Sequence, residues 1–220
     1  MTASDHLSVR ELACRRGGRL LFSGLSFALA PGEALVVEGR NGCGKSSLLR
    51  CLAGLLRPAA GELTWAGRPV SADAEPYRRS LAYIGHLDGA KPVLTVTENL
   101  AFWQRLGGGG GIEAIRSALD AFGIARLARL EARLLSAGQR RRLALARLLA
   151  RPTKIWLLDE PTSALDAEAV QLFLAAAAAH RAGGGSMIVA VHGDSGLTGA
   201  RRLSLAEFAP APAQAQAMPW

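Results

Sequence analysis

The chain has 220 residues, half of them hydrophobic, a net charge of +8 and three cysteines. That length accommodates one sizeable core with a small inserted subdomain, while the absence of any run of about 18 apolar residues excludes a transmembrane helix and the polar opening MTASDHLSVREL does not suit a signal peptide. The positive charge would suit nucleic acid or an anionic lipid surface, but only Lys45, Lys91 and Lys154 among 26 basic residues are lysine, and the arginine, alanine and glycine excess reads as codon bias.

LSVRELA, LSFALA and ALVVEG read as short strands, the last a nearly continuous apolar run of the kind buried on both faces of a sheet. SLLRCLAGLL has helical spacing and is expected to stop before Arg57-Pro58. Between this strand and helix lies Gly39-x4-Gly44-Lys45-Ser46, the context a phosphate-binding loop requires. Its glycines let successive N–H groups turn inward as an anion nest at a positive helix terminus. Gly39, Arg40, Asn41, Gly42, Cys43, Gly44, Lys45, Ser46 and Ser47 are therefore candidate nucleotide-binding residues. Lys45 supplies a point charge for the β- and γ-phosphates, and Ser46 a hydroxyl for Mg²⁺. Inside such a cradle the Cys43 thiol is expected to shift toward thiolate; a thiol pointing away is the other reading. The three cysteines form no CxxC pair and no metal-ligand spacing, which suits a reducing compartment.

GELTWAG and SLAYIGH are further strand candidates, and the second ends in His86, which alone reads as a strand-end spectator or a functional group. From Thr97 through Leu149 the pattern is helical, broken only at Gly107 to Gly111. Phe102 and Trp103 are adjacent on that pattern, about 100° apart on a helix, so both can hardly face one core. LLSAGQRRRLALARLLA puts Ser136 and Gly138 just ahead of a helix with apolar Leu143, Leu145, Leu148 and Leu149. A serine and free N–H groups there suit an anion, or make a plain N-cap.

KIWLLDE is a buried strand ending in two carboxylates. At such an end Asp159 is placed to hold a Mg²⁺ shell while Glu160 polarises an attacking water; solvated turn residues are the bland alternative. Ala167 to Arg181 reads as a helix, SMIVAVH as a buried strand ending in His192, and residues 206–220 as a disordered Pro/Ala-rich tail. The alternation of strands and helices predicts one α/β domain over residues 1–205, a mostly parallel sheet with a helical subdomain inserted at about 87–150.

These motifs together resemble the ATP-binding-cassette (ABC) ATPases. LSAGQ at 135–139 matches that family's signature, LLDE at 157–160 its second nucleotide motif, SALD at 163–166 its D-loop, and His192 its switch histidine. The resemblance implies a P-loop NTPase with a parallel core sheet, an antiparallel β subdomain and an α-helical subdomain, using ATP and Mg²⁺. It further implies a head-to-tail homodimer. In that arrangement Ser136, Ala137, Gly138 and Gln139 of one copy cover ATP held by the other, beside D-loop Asp166. His192 would bind the γ-phosphate within its own chain, a neutral imidazole serving as donor. Arg16 falls where the family stacks an aromatic on adenine; a guanidinium stacks on a purine too, and an exposed arginine with no such role is the other reading.

The family usually has glutamine at position 86. Histidine there, followed by Lys91 and LTVTENL, is similar to the ATPase subunits of bacterial haem exporters of cytochrome c maturation. This implies a peripheral subunit at the cytoplasmic face of the inner membrane, docked on an integral-membrane permease. Accessory membrane subunits and the haem chaperone would be reached indirectly. His86 would couple the catalytic site to the permease, and one of Phe102 and Trp103 would anchor a permease helix or both would pack inside. Neither CxxCH nor paired histidines are present, so direct haem binding is not expected. The ATPase of another small exporter is the nearest alternative. A soluble nucleic-acid-associated ABC protein is more distant, since those carry two cassettes or a long coiled-coil insertion.

Overall fold

Residues 6–210 are described by the computed structural model. Five short strands, β3 (Ala34–Glu38), β6 (Leu81–Ile84), β7 (Ile155–Asp159), β8 (Ser186–Ala190) and β9 (Arg201–Ser204), form a sheet in the order β6-β7-β8-β3-β9. Every neighbouring pair is parallel. Alternate side chains point to opposite faces of a strand. Leu35, Val37, Ile155, Leu157 and Ile188 accordingly enter one core, and Val36, Trp156, Leu158, Met187 and Val189 the other. The nearly continuous apolar runs are thus explained by burial on both faces. Because all five strands run the same way, their carboxyl ends open on one edge, where open α/β sheets bind ligands.

The first core is closed by a second, antiparallel sheet of β1 (Leu7–Arg16), β2 (Arg19–Leu29), β4 (Ala60–Trp65) and β5 (Arg68–Pro69), in the order β2-β1-β4-β5. Gly17 and Gly18, with φ of +54° and +76°, make the two-residue turn between β1 and β2, both positive as such a hairpin turn requires. Helix α1 (Lys45–Leu52) packs Leu48, Leu49 and Leu52 into the same core. It stops before Arg57-Pro58 as expected, though at Leu52 rather than at the end of the helical pattern at Leu56. Gly54 takes φ +70° and Leu55 N–H donates back to the Arg50 carbonyl at 2.8 Å, a glycine-terminated C-cap. A short helix α2 (Ala74–Ser80) then leads into β6.

The other core is covered by α3 (Val96–Gly107), α4 (Gly111–Ala121), α5 (Ala137–Ala150) and α6 (Ala167–Ala182). The glycine break falls where expected, but residues 122–136 do not continue the helical pattern. Gly123, with φ +64°, ends α4, and the chain then passes through two 3₁₀ turns at Ala125–Leu127 and Ala132–Leu134. This segment satisfies the start of α3: Val96 N–H donates to Leu130 O at 2.9 Å and Thr97 N–H to Ala128 O at 3.0 Å. Strand β9 was also not anticipated; two arginines begin it, and it is an edge strand paired only with β3. Of the segment expected to be disordered, residues 206–208 lie in a 3₁₀ turn (Leu205–Phe208) whose Phe208 packs on the first core; residues 211–220 lie outside the described residues. Among the described residues no helix is long and apolar enough to cross a membrane.

Candidate functional site

The loop after β3 turns into α1 through Gly42 and Gly44, whose φ values are +78° and +113°. A Cβ on Gly44 would stand 3.2 Å from Leu21 and Phe22 of β2, so both backbone angle and space require glycine there. No side chain caps α1. Its first-turn N–H groups are therefore available to an anion. Lys45 is 6% exposed, and its ammonium donates to Gly39 O at 2.6 Å and Arg40 O at 3.4 Å. The cleft in front of the loop, about 190 Å³, is lined by Asn41, Gly42, Lys45, Ser46, Arg16 from the end of β1 and Glu160 from the end of β7. Residues more than a hundred positions apart in sequence meet there.

Cys43 corrects an expectation. Its sulfur lies on the Gly39 side, 2.6 Å from where a Gly39 Cβ would stand, and the residue packs on the core behind the loop. Cys43 does not line the cleft, and its N–H donates to Arg40 O at 3.2 Å within the loop.

Asp159 ends β7 and is buried, and its Oδ2 has no hydrogen-bond partner within the described protein. That is an acceptor awaiting a cation or its water shell. Mg²⁺ usually takes one or two carboxylates together with substrate phosphates rather than an all-protein cage. Among the described residues no group of three or more His, Cys, Asp or Glu forms such a cage. Asp159 and the Ser46 hydroxyl therefore fit a hydrated Mg²⁺ carried in with a nucleotide. Glu160 follows with φ +48°, a left-handed conformation that non-glycine residues adopt at a cost of about 1–3 kcal/mol. The Glu160 N–H donates to Ala190 O of β8 at 2.8 Å.

The sheet order places β8 between β7 and β3, so His192, two residues past β8, leaves the carboxyl edge between the acid pair and the phosphate loop. It is exposed and lies beyond the strand proper, which ends at Ala190. His86 is likewise exposed and lies two residues beyond β6, which ends at Ile84. Neither histidine ends a strand as the sequence suggested.

Ser136 caps α5. Its hydroxyl accepts from Gln139 N–H at 3.2 Å, and the Gln139 amide oxygen accepts from Ser136 N–H at 2.9 Å, a reciprocal capping box. Ser136, Gly138, Gln139, Arg126, Arg142 and Asp166 line a polar cavity of about 480 Å³. Arg142 donates to both carboxylate oxygens of Asp166 at 2.7 Å, and Asp166 also caps α6 through Ala169 N–H at 2.8 Å. These bonds, the Ala169 N–H first, hold the Asp166 carboxyl below its ordinary range. This cavity and the phosphate cleft share no lining residue. One chain thus carries two separate polar cavities.

Phe102 and Trp103 depart from the expectation that one of them packs inside. Both are half-buried and contact each other edge to face at 5.4 Å. Arg147 of α5 lies 3.9 Å over the Trp103 ring. Burial lowers the pKa of Arg147 to about 10, against the opposing pull of Asp88. Sequence reading missed Arg141, Arg142 and Arg147. They sit in an arginine-rich run that composition had already discounted, and nothing in such a run marks which guanidinium turns inward.

An uncapped glycine-rich loop, with its buried lysine, and an acid pair on the carboxyl edge of a parallel sheet are the features of a P-loop nucleoside triphosphatase. A family model described as "ABC transporter" matches residues 22–163, and the chain belongs to that family. It is 54% identical over 205 residues to "Cytochrome c biogenesis ATP-binding export protein CcmA" of Rhodospirillum rubrum, covering 93% of this chain and 88% of the relative. The protein of the same name from Paramagnetospirillum magneticum is 50% identical over 207 residues, covering 93% and 95%. The fold is similar to a putative ABC transporter ATP-binding protein of Pyrococcus furiosus, with a TM-score of 0.82 at 21% identity over 93% of this chain and all of that one. It is also similar to a bacterial Atm1-family ABC exporter with ATP bound, with a TM-score of 0.81 at 23% identity over 93% of this chain and 37% of that one. The chain is an ATP-hydrolysing subunit of the ABC transporter class.

Proposed function

We propose that this subunit hydrolyses ATP to drive an exporter of cytochrome c biogenesis, one that handles haem or releases the haem-loaded chaperone. The observation that carries the reading is identity of about half, over nearly the whole chain, to relatives named for that process. Within the site, Lys45 and the loop N–H groups hold the β- and γ-phosphates, Glu160 orients the attacking water, and His192 steadies the γ-phosphate as a hydrogen-bond donor. Ser46 and, through water, Asp159 would hold Mg²⁺, which would neutralise phosphate charge when bound. Arg16 lines the same cleft and offers a face to the adenine.

The signature cavity and the phosphate cleft are separate on one chain, so two copies arranged head to tail would complete two sites, each closed by the partner copy's signature. A CcmB-like permease, with CcmC- and CcmD-like subunits beyond it at the inner membrane, would dock at the groove between the sheet and the helical layer. That groove, about 320 Å³, is lined by Leu55, Tyr83, Ile84, Trp103, Arg147 and Arg151. Leu55, Leu87 and Val93 are exposed hydrophobics in segments flanking it, and apolar groups beside an aromatic suit a docked helix.

Glu160→Gln tests the reading. ATP binding should persist while turnover falls about 10²-fold or more, the range expected on losing general-base help. Bacteria carrying only this variant should lose c-type cytochromes. Near-normal hydrolysis would remove Glu160 from its role, and lost hydrolysis with full cytochrome c yield would overturn the exporter reading.

A further inference from the structure

Arg141 is the most completely engaged buried charge in the described protein. Its side chain is 3% exposed and it lies in the first turns of α5, five residues past the capping Ser136. Nε donates to Pro161 O at 3.1 Å, and one terminal nitrogen donates to Asp159 O at 2.7 Å and Glu160 O at 2.6 Å. The other donates to Gly85 O at 3.0 Å and to the Asp88 carboxylate at 3.1 Å. A single rigid fork therefore joins three segments: the start of α5, the 159–161 turn after β7, and the 85–88 turn after β6.

Burying a guanidinium is unfavourable unless its donors are met. Here all three nitrogens are used, mostly on main-chain carbonyls. Such a bond set fixes backbone position rather than merely neutralising a charge. The 159–161 turn contains Glu160 in its left-handed conformation at φ +48°, a state that persists only where its surroundings over-determine it. The 85–88 turn contains His86 and borders the groove. It is held a second time from α5, since Arg147 donates to Asp88 O at 2.8 Å. Displacement of α5 relative to the sheet must therefore strain both turns together.

We infer that Arg141 is a positioning residue for hydrolysis: it locks the backbone of Glu160 in its catalytic orientation and links that turn to the 85–88 segment at the permease groove. The inference rests on the proposed roles of Glu160 and of the groove. Lysine keeps the charge at this site but presents its donors from one point, so it cannot span carbonyls on two separate turns. Glutamine has a single NH₂ group and reaches still fewer. Closure of α5 and permease docking would then act on the same group, as differential contacts between two states require.

The test compares wild type, Arg141→Lys, Arg141→Gln, Asp88→Asn, Glu160→Gln and Arg141→Lys/Glu160→Gln, each as the full chain with and without its permease in liposomes. The readouts are kcat, KM for ATP, the ratio of rates with and without permease, and melting temperature. Both Arg141 variants should lower kcat about 10-fold or more, leaving KM within about 3-fold, the pattern of an interaction that serves the transition state rather than binding. Arg141→Lys should cost nothing further in the Glu160→Gln background, because a residue acting through Glu160 has no route left; an additive loss there would mean a merely structural role. Asp88→Asn should keep the permease-free rate within about 2-fold and at least halve the permease-dependent rise, as loss of one coupling contact predicts. Unchanged kcat in both Arg141 variants overturns the inference when Glu160→Gln is inactive. If Glu160→Gln is itself active, the underlying reading fails instead. Should the Arg141 variants not fold, Asp88→Asn decides the matter: a permease response equal to wild type overturns the link and a weakened one supports it.

Discussion

A Cβ at position 138 would stand 2.9 Å from the Ala164 carbonyl oxygen, closer than real Cβ contacts come. The requirement for glycine is therefore one of space, not of backbone angle, and it ties α5 to the turn that precedes Asp166. Gly138→Ala should push that turn outward and disturb the Arg142–Asp166 pair beside it. ATP binding to the phosphate loop should stay within about 3-fold, because that loop lies in a different cavity, while hydrolysis should fall at least about 10-fold if the signature must close on the partner's nucleotide. Equilibrium nucleotide binding and steady-state turnover on one preparation separate the two; unchanged turnover would detach Gly138 from catalysis. The same scale accounts for Cys43, whose sulfur packs behind the loop because a core of Leu205 and its neighbours lies there.

Helix α6 meets β7 through an aromatic stack and β8 through a hydrogen bond. The rings of His180 and Trp156 are 3.8 Å apart and nearly parallel, at 7°, and His180 Nε2 hydrogen-bonds the Ser186 carbonyl at 3.1 Å. Burial lowers the His180 pKa from its ordinary value, only partly opposed by that bond. The unfolded chain therefore takes up a proton that the folded chain resists. Stability from this element is intact above the unfolded value near about 6.5 and is lost as pH falls from there through the folded value. His180→Phe keeps a ring against Trp156 but removes both the titration and the bond to Ser186. Its melting temperature should be lower than wild type at about pH 8 yet decline less between about pH 7 and pH 5. Parallel declines in the two proteins would assign acid sensitivity to other groups.

Across the whole molecule, the helical layer and the sheet share one core on one side, while on the groove side they meet through Trp103, Arg147 and the 83–88 segment. Trp103 is half-buried there and lines the groove, which suits an anchor for an incoming helix. Trp103→Ala should weaken permease association with little change in melting temperature; a large fall in stability would make it a core residue instead. His86, exposed on the same segment, should matter for coupling more than for affinity, since binding strength comes from the phosphate loop. His86→Ala should leave ATP affinity within about 3-fold and reduce permease-dependent hydrolysis, and His86→Gln should restore most of it because amide and imidazole both donate and accept. Wild-type behaviour of His86→Ala in the assembled complex would make position 86 a spectator.

The phosphate loop, the acid pair and the signature serine were legible in the chain because each is a local device: a turn, a strand end or a helix cap built from neighbouring residues. The doubly buried strands were legible for the same reason, since apolar continuity is a property of the segment itself. What only the tertiary structure decided are the relations between segments. The order β7-β8-β3 set His192 between acid and loop, the Gly54 cap ended α1 at Leu52 rather than at Leu56, and the 128–132 segment stayed non-helical to satisfy the start of α3. The inward turn of Arg141 belongs to this second kind. Sequence presents three arginines in succession at 140–142, and which of them loses its water depends on carbonyls 18 to 56 residues away, which folding alone brings within reach of its donors.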